Sequence, residues 1–228
     1  MRKPLWLLAL ALAAIPAFAQ RENPDWELYF GYQYTRLDSG AVQGGFDAGM
    51  AGRGLPRVAT PTGLNMHGWN VAVQQGGSRW WGVMADFSGA YLPQTVNLSA
   101  QAHALGLAPA SQSVSGSFTP LFHTLAIGPQ FTYTKDPRFR PFVHVLVGAA
   151  ILDLAPDPTT ASVLGSGFDP FDAAVVVVVG GGAEVPLNRR LAWRVSADYL
   201  RSELFSQFAG GQNSLRVSTG LVVILNRK

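Results

Sequence analysis

Glu184 and Arg194 lie at matching depths on either side of the turn-like stretch "PLNRR" at 186–190. Each falls on the polar side of a segment that alternates apolar and polar residues. The spacing predicts that they pair across a hairpin, because a buried charge without a partner is costly. Glu27, Asp86, Asp198 and Arg216 share that polar side and extend the set into a network. In an enclosed space such a network has two readings, a gate or proton path on one hand and internal packing on the other, and packing is the commoner use of paired buried charges.

Other chemistry finds little support. His67, His103, His123 and His144 are scattered over two strand ends, a loop and one inward position, without metal-ligand spacing. "SVSGSFTPLFH" brings Ser115, Ser117 and His123 close in sequence, but most of it reads as loop. No P-loop, dinucleotide fingerprint, HExxH or cysteine motif occurs. Gly180-Gly181-Gly182 lies within a strand-like segment and reads as relief for curvature, not as a phosphate cradle. Neither cofactor nor metal is expected, and no catalytic residue is assigned.

The charged residues are carried by a recurrent pattern. Period-two segments run at about 26–37, 67–77, 80–92, 121–135, 141–154, 172–185, 190–203 and 213–225. Short connections at 77–79, 135–140 and 186–190 alternate with long ones at 38–66 (L1), 93–120 (L2), 155–171 (L3) and 204–212 (L4). Tight turns at one end and long loops at the other is the wiring of a membrane β-barrel. L1 and L2 are rich in Gly, Ala, Ser and Gln, a composition that predicts mobility. Pro129 interrupts one segment, where a bulge is expected.

The run Val175–Val179 could be a membrane helix, a buried strand or a wall exposed to lipid. Three glycines and Pro186 close it, and valine is β-branched, so the helix fails. Alternation then puts Val175, Val177 and Val179 on one face and Val176 and Val178 on the other, with Glu184. Throughout the chain one face is bulky and apolar while the other is small or polar.

Alternation alone does not say which face is inside. The aromatics do. Trp26, Trp81, Tyr133 and Trp193 fall near the turn end of the apolar face, and Tyr34, Trp69, Tyr91, Phe171 and Tyr199 near the loop end. Two aromatic girdles around an aliphatic band fit the two membrane interfaces. Lysine is nearly absent between the N-terminal stretch and the C-terminus, and only 14% of residues are charged, against about a quarter in soluble domains.

The first residues, "MRKPLWLLALALAAIPAFAQ", combine Arg2 and Lys3 with an apolar run and a small-x-small site at Ala17–Ala19. They predict a cleaved signal peptide over 1–19 and a barrel domain over 20–228. Losing Arg2 and Lys3 takes Lys+Arg from 17 to 15 against 14 Asp+Glu, so the basic isoelectric point is no argument for a nucleic-acid partner. With no cysteine, stability must come from packing or a closed hydrogen-bond network.

"WELYFGYQYTRL", "AIGPQFTYTKDPRFRPFVHVLVGAA" and the closing pair "RRLAWRVSADYL" and "NSLRVSTGLVVIL" resemble the small OmpA-like outer-membrane barrels. The resemblance implies an all-β, eight-stranded antiparallel up-and-down barrel in the outer membrane, too narrow for a wide pore. Its partners would be outer-membrane lipid and lipopolysaccharide, the barrel assembly machinery, and an unidentified extracellular ligand of the loops. Its role would be envelope integrity or surface interaction. Such barrels commonly end on an aromatic residue, and this chain ends Leu225-Asn226-Arg227-Lys228. Two alternatives stand beside it: a secreted lipocalin-like barrel holding an apolar ligand, and an outer-membrane enzyme that modifies lipid A, which would need a Ser and a His together on the lipid side.

Overall fold

The computed structural model describes residues 26–58, 63–76, 80–133, 135–136, 138–165, 169–204 and 210–225. The predicted leader and the last three residues lie outside that range, as do the connection at 77–79 and most of L4.

Eight long strands close into one antiparallel barrel: β1 (Trp26–Asp38), β2 (Gly63–Gly76), β3 (Trp81–Tyr91), β6 (Leu121–Thr132), β7 (Arg140–Asp153), β8 (Phe171–Pro186), β9 (Leu191–Ser202) and β10 (Gln212–Leu225). Each pairs with its chain neighbours in the wall, and β1 meets β10 to complete the circle. β2 begins at Gly63, four residues earlier than the alternation suggested, and β6 stops at Thr132.

The registers are continuous. The expected bulge at Pro129 is absent: Val83 still faces Pro129 across β3, and the β6–β7 pairing resumes at Gln130↔His144 in the register it had at Ile127↔Val147. Proline is accommodated by dropping rungs, not by inserting a residue. Close approach of neighbouring strands is met by glycine instead. A Cβ on Gly148 would fall 1.9 Å from the Leu125 carbonyl oxygen, so only glycine fits there.

The valine run shows how the wall is divided. Val175, Val177 and Val179 are 53%, 36% and 48% exposed, whereas Val176 and Val178 are fully enclosed. Phe30, Phe87, Leu125, Val145 and Val217 are likewise exposed on the outside. The apolar list faces outward and the polar list lines the lumen.

The long connections depart furthest from expectation. L1 and L2 are built as a cap over one mouth of the barrel, together with L3. L1 forms α1 (Gly40–Gly52), L2 forms a small antiparallel pair, β4 (Gln94–Asn97) and β5 (Ser115–Phe118), with α2 (Ser99–Ala104) between, and L3 forms α3 (Pro158–Leu164). Val42, Phe46 and Met50, at helical spacing, are fully buried, and the Phe46 ring meets Phe118 at 5.3 Å. Val96, Leu98, Val163 and Leu164 join them in one cluster that continues downward into Leu37, Leu64, Met66, Phe122, Leu152 and Leu200 of the lumen. α1 contains several glycines, each unfavourable in a helix interior by about 1 kcal/mol. It therefore depends on this burial.

Polar clamps join the parts of the cap. Arg53 donates to the carbonyls of Ser162 and Val163, and Gln101 to those of Pro56 and Arg57. Asp157 caps α3, accepting from the Thr160 amide at 2.7 Å through Oδ1 and from the amide and hydroxyl of Ser117 through Oδ2. What burial it has would raise the Asp157 carboxyl, but the hydrogen bonds from Thr160 and Ser117 outweigh it and hold the group below its ordinary value of 3.8.

Phe46→Ala should cost the cap about 3 kcal/mol. Limited proteolysis in detergent should then cut within 40–58 at a protease level that spares the parent protein, while the barrel stays closed. Because Asp157 is depressed on folding, its contribution is complete above 3.8 and is lost as pH falls through the lower folded value. Cap proteolysis should rise over that acid range, and Asp157→Asn should flatten the profile.

Candidate functional site

The lumen holds two charged clusters, one above the other. Nearer the turn end, Glu184 and Arg194 are direct cross-strand neighbours on β8 and β9. Arg194 donates through Nε to Glu184 Oε1 at 2.9 Å, and its Nη2 reaches the same oxygen. Glu27 stands 3.9 Å from Arg194 Nη2. The Arg194 guanidinium is held between two rings, 5.2 Å from Tyr29 and 4.8 Å from Phe142. Gln74 accepts from both Arg194 and Gln130.

Deeper in, Arg216 joins β3 to β9. Its Nη1 donates to Asp86 Oδ1 at 2.8 Å and its Nε to Asp198 Oδ2 at 2.8 Å. Asp86 also accepts from Asn70 at 2.7 Å, and Ser88 bridges Arg216 to Thr124. A Cβ on Gly180 would collide with the Asp198 carboxylate at 2.0 Å, so this glycine makes room for the charge.

The six residues singled out in the sequence thus lie in the lumen, gathered as Glu27, Glu184 and Arg194 in one cluster and Asp86, Asp198 and Arg216 in the other. Two members were missed. Arg140 falls in the short connection that the alternation places at 135–140, but β7 begins with it; it reaches Glu184 Oε2 at 2.5 Å and donates to Glu27 Oε1 at 3.2 Å. Continuing the alternation of Phe142 and His144 back by two residues would have placed it inward. The alternation places His144 inward but names no partner for it, and its Nε2 lies 3.0 Å from Asp198 Oδ1. Among the described residues, four carboxylates therefore meet three guanidiniums and one imidazole. Side chains of this size fill the lumen of an eight-stranded barrel.

The remaining candidates are separated. Ser117 is engaged by Asp157, while His123 stands on the outer wall with its Nε2 2.8 Å from the Tyr91 hydroxyl. His103 contacts the Gln112 carbonyl and His67 the Tyr32 hydroxyl. No group of three or more metal-ligating side chains occurs among the described residues. On the outer wall, Trp26, Trp193 and Tyr133 flank the turn end and are 37%, 49% and 53% exposed, with Trp81 half-buried beside them. Tyr34, Trp69, Tyr91, Phe171 and Tyr199 stand toward the capped end, and several share polar contacts, as between Trp69 Nε1 and the Tyr91 hydroxyl at 3.1 Å.

No family model matches the sequence, and no curated protein is similar to it. Solved structures are. Neisserial surface protein A matches with a TM-score of 0.53 at 9% identity, over 89% of this chain and 99% of that one. Ail, the attachment invasion locus protein of Yersinia pestis, matches with a TM-score of 0.49 at 13% identity, over 88% and 99% of the two chains. OprG from Pseudomonas aeruginosa gives 0.46 at 9% identity, over 91% and 98%. The chain has the fold of the small eight-stranded outer-membrane barrels.

Glu184→Ala should cost about 3–5 kcal/mol, since it leaves the buried guanidiniums of Arg194 and Arg140 with Glu27 as the one carboxylate between them. Adding Arg194→Ala should recover part of the loss, with a coupling on the order of 1–3 kcal/mol in urea unfolding from lipid vesicles. Strictly additive effects would show that the pair is not an energetic unit.

Proposed function

We propose that this chain is an integral outer-membrane barrel that conducts no solute and acts through its capped end, in surface interaction and envelope integrity. The observation that carries the reading is the double closure of the lumen: salt-bridged side chains fill its lower part, and an apolar layer continuous with the cap seals the upper mouth. In this orientation the turns face the periplasm and the cap faces outward, the usual wiring of such barrels. Export by a cleaved signal peptide and insertion by the assembly machinery belong to the same reading, as does contact with membrane lipid and lipopolysaccharide.

A soluble lipocalin-like barrel is disfavoured because Phe30, Leu125, Val147, Val175 and Leu221 would stand in water, each 48% exposed or more. A lipid-A-modifying activity is disfavoured because Ser117 and His123 have different partners. An unidentified extracellular ligand would have to dock on the folded cap.

Two measurements test the proposal. The protein extracted from membranes should migrate faster on a detergent gel before heating than after, as a closed barrel does. In planar lipid bilayers it should give no stable conductance steps. Defined steps would overturn the sealed-lumen reading, and a protein that stays soluble without detergent would overturn the membrane reading.

A further inference from the structure

Two neighbouring turns at the end of the barrel opposite the cap gather cations that have no acidic partner. The hairpin between β6 and β7 is pinned at its base by the Tyr133 amide, which donates to the Pro141 carbonyl at 2.9 Å, and beyond that rung it exposes Lys135, Arg138 and Phe139. In the β8–β9 turn, Asn188 Oδ1 accepts from the amides of Arg190 and Leu191 at 2.8 and 2.9 Å, which fixes the turn with Arg189 and Arg190 exposed. Arg140 faces Glu184 across β7 and β8, so the two turns stand side by side on the rim. None of these four cations makes an ion pair among the described residues. The lumen carboxylates of the turn end, Glu27 and Glu184, are already taken by Arg140 and Arg194. Asp136, the one acid in the two turns, accepts from the Arg138 amide at 2.8 Å through Oδ1. At the capped end the balance is the reverse, and acids outnumber arginines among the described residues.

A shallow cleft of about 520 Å³ opens on this rim, lined by Tyr133, Lys135, Asp136 and Arg138. Tyr133 is 53% exposed, so the cleft offers an aromatic ring, an ammonium, a guanidinium and one carboxylate. Each suits a different part of an acidic sugar polymer. The negative face of an aromatic ring attracts the slightly positive C–H hydrogens on the flat side of a sugar. Guanidinium and ammonium groups hold carboxylates, the guanidinium through paired N–H donors. A carboxylate such as Asp136 accepts from sugar hydroxyls. The same carboxylate repels a compact phosphate, which disfavours an anionic lipid head group in the cleft. A glycan keeps its hydroxyls and its carboxylates apart, so the two can meet Asp136 and the cations separately.

We infer that this turn-end rim is a second contact surface, which binds a carboxylate-bearing glycan strand of the kind that makes up peptidoglycan. A sugar ring lies on Tyr133, its hydroxyls reach Asp136, and its carboxylates meet Lys135 and Arg138. Arg189 and Arg190 on the adjacent turn carry the cationic track onward for a polymer longer than the cleft. The inference rests on the membrane reading proposed above, which turns this end toward the periplasm. It goes beyond that reading by giving the closed barrel a tie on the side away from its cap.

The test titrates the full barrel, held in a neutral detergent micelle, with soluble peptidoglycan strands, with the same strands after their carboxylates have been amidated, and with poly-glutamate. Binding should be strongest for the untreated strands and should weaken as salt rises, because the cations are exposed. Lys135→Gln and Arg138→Gln should each weaken it about fivefold and the double variant roughly twentyfold. Tyr133→Ala should also cost about fivefold, while Tyr133→Phe, which keeps the ring, should bind as the parent does. Arg57→Gln, on the cap, should leave binding unchanged. Equal binding of the amidated strands, or unchanged binding by the double variant, would overturn the inference. Equally tight binding of poly-glutamate would give the rim to an acidic peptide, and displacement of the strands by phosphatidylglycerol added to the micelle would give it to lipid; either result overturns the glycan. A barrel that shifts on heating in a detergent gel but binds no strand refutes only this site, whereas a chain that stays soluble without detergent refutes the membrane reading as well.

Discussion

Hydrocarbon offers no partner to an exposed backbone N–H or C=O, so a chain that crosses it with strands must close its sheet on itself. Everything else in this structure depends on that closure. β1 pairs with β10 along almost its whole length, leaving no edge. Closure also fixes which residues are inside, since alternation sends every second side chain to the lumen. An eight-stranded circle is narrow, and this one is filled in its lower part by arginine–carboxylate pairs, glutamines and small hydroxyls and in its upper part by an apolar cluster that continues into the cap.

Burying those charges is tolerable only because they are shared. Glu184 serves two arginines, and Arg216 serves two aspartates across the lumen. Such an arrangement ties strands that are not neighbours in the wall, β3 to β9 through β10's Arg216 and β1 to β7 through Arg140. Its net contribution to stability is small, because paired buried charges recover little beyond their own desolvation.

The cap inverts the relation between composition and order. Its stretches are rich in glycine, alanine and serine, yet Val42, Phe46, Met50, Phe118 and Val163 give them a core of their own. That core is continuous with the apolar upper lumen, so the cap and the barrel share one buried cluster. Among the described residues the capped end is therefore a shaped face and not a set of free loops.

The wall was legible in the sequence because a period of two is a local property: "WELYFGYQYTRL" states which face Trp26 and Glu27 occupy wherever the strand lies. The Glu184–Arg194 partnership was legible for the same reason, being a contact across one short turn. Arg140 was not, since its place depends on where β7 begins, and the ends of strands are set by their neighbours. The contacts of Arg216 with Asp86 and of His144 with Asp198 join strands that no turn connects in register, so closure of the circle decided them. Only the tertiary structure could decide the cap. The helical spacing of Val42, Phe46 and Met50 was present in L1, but so many glycines make a helix that exists only once Phe118 and the barrel mouth cover its apolar side.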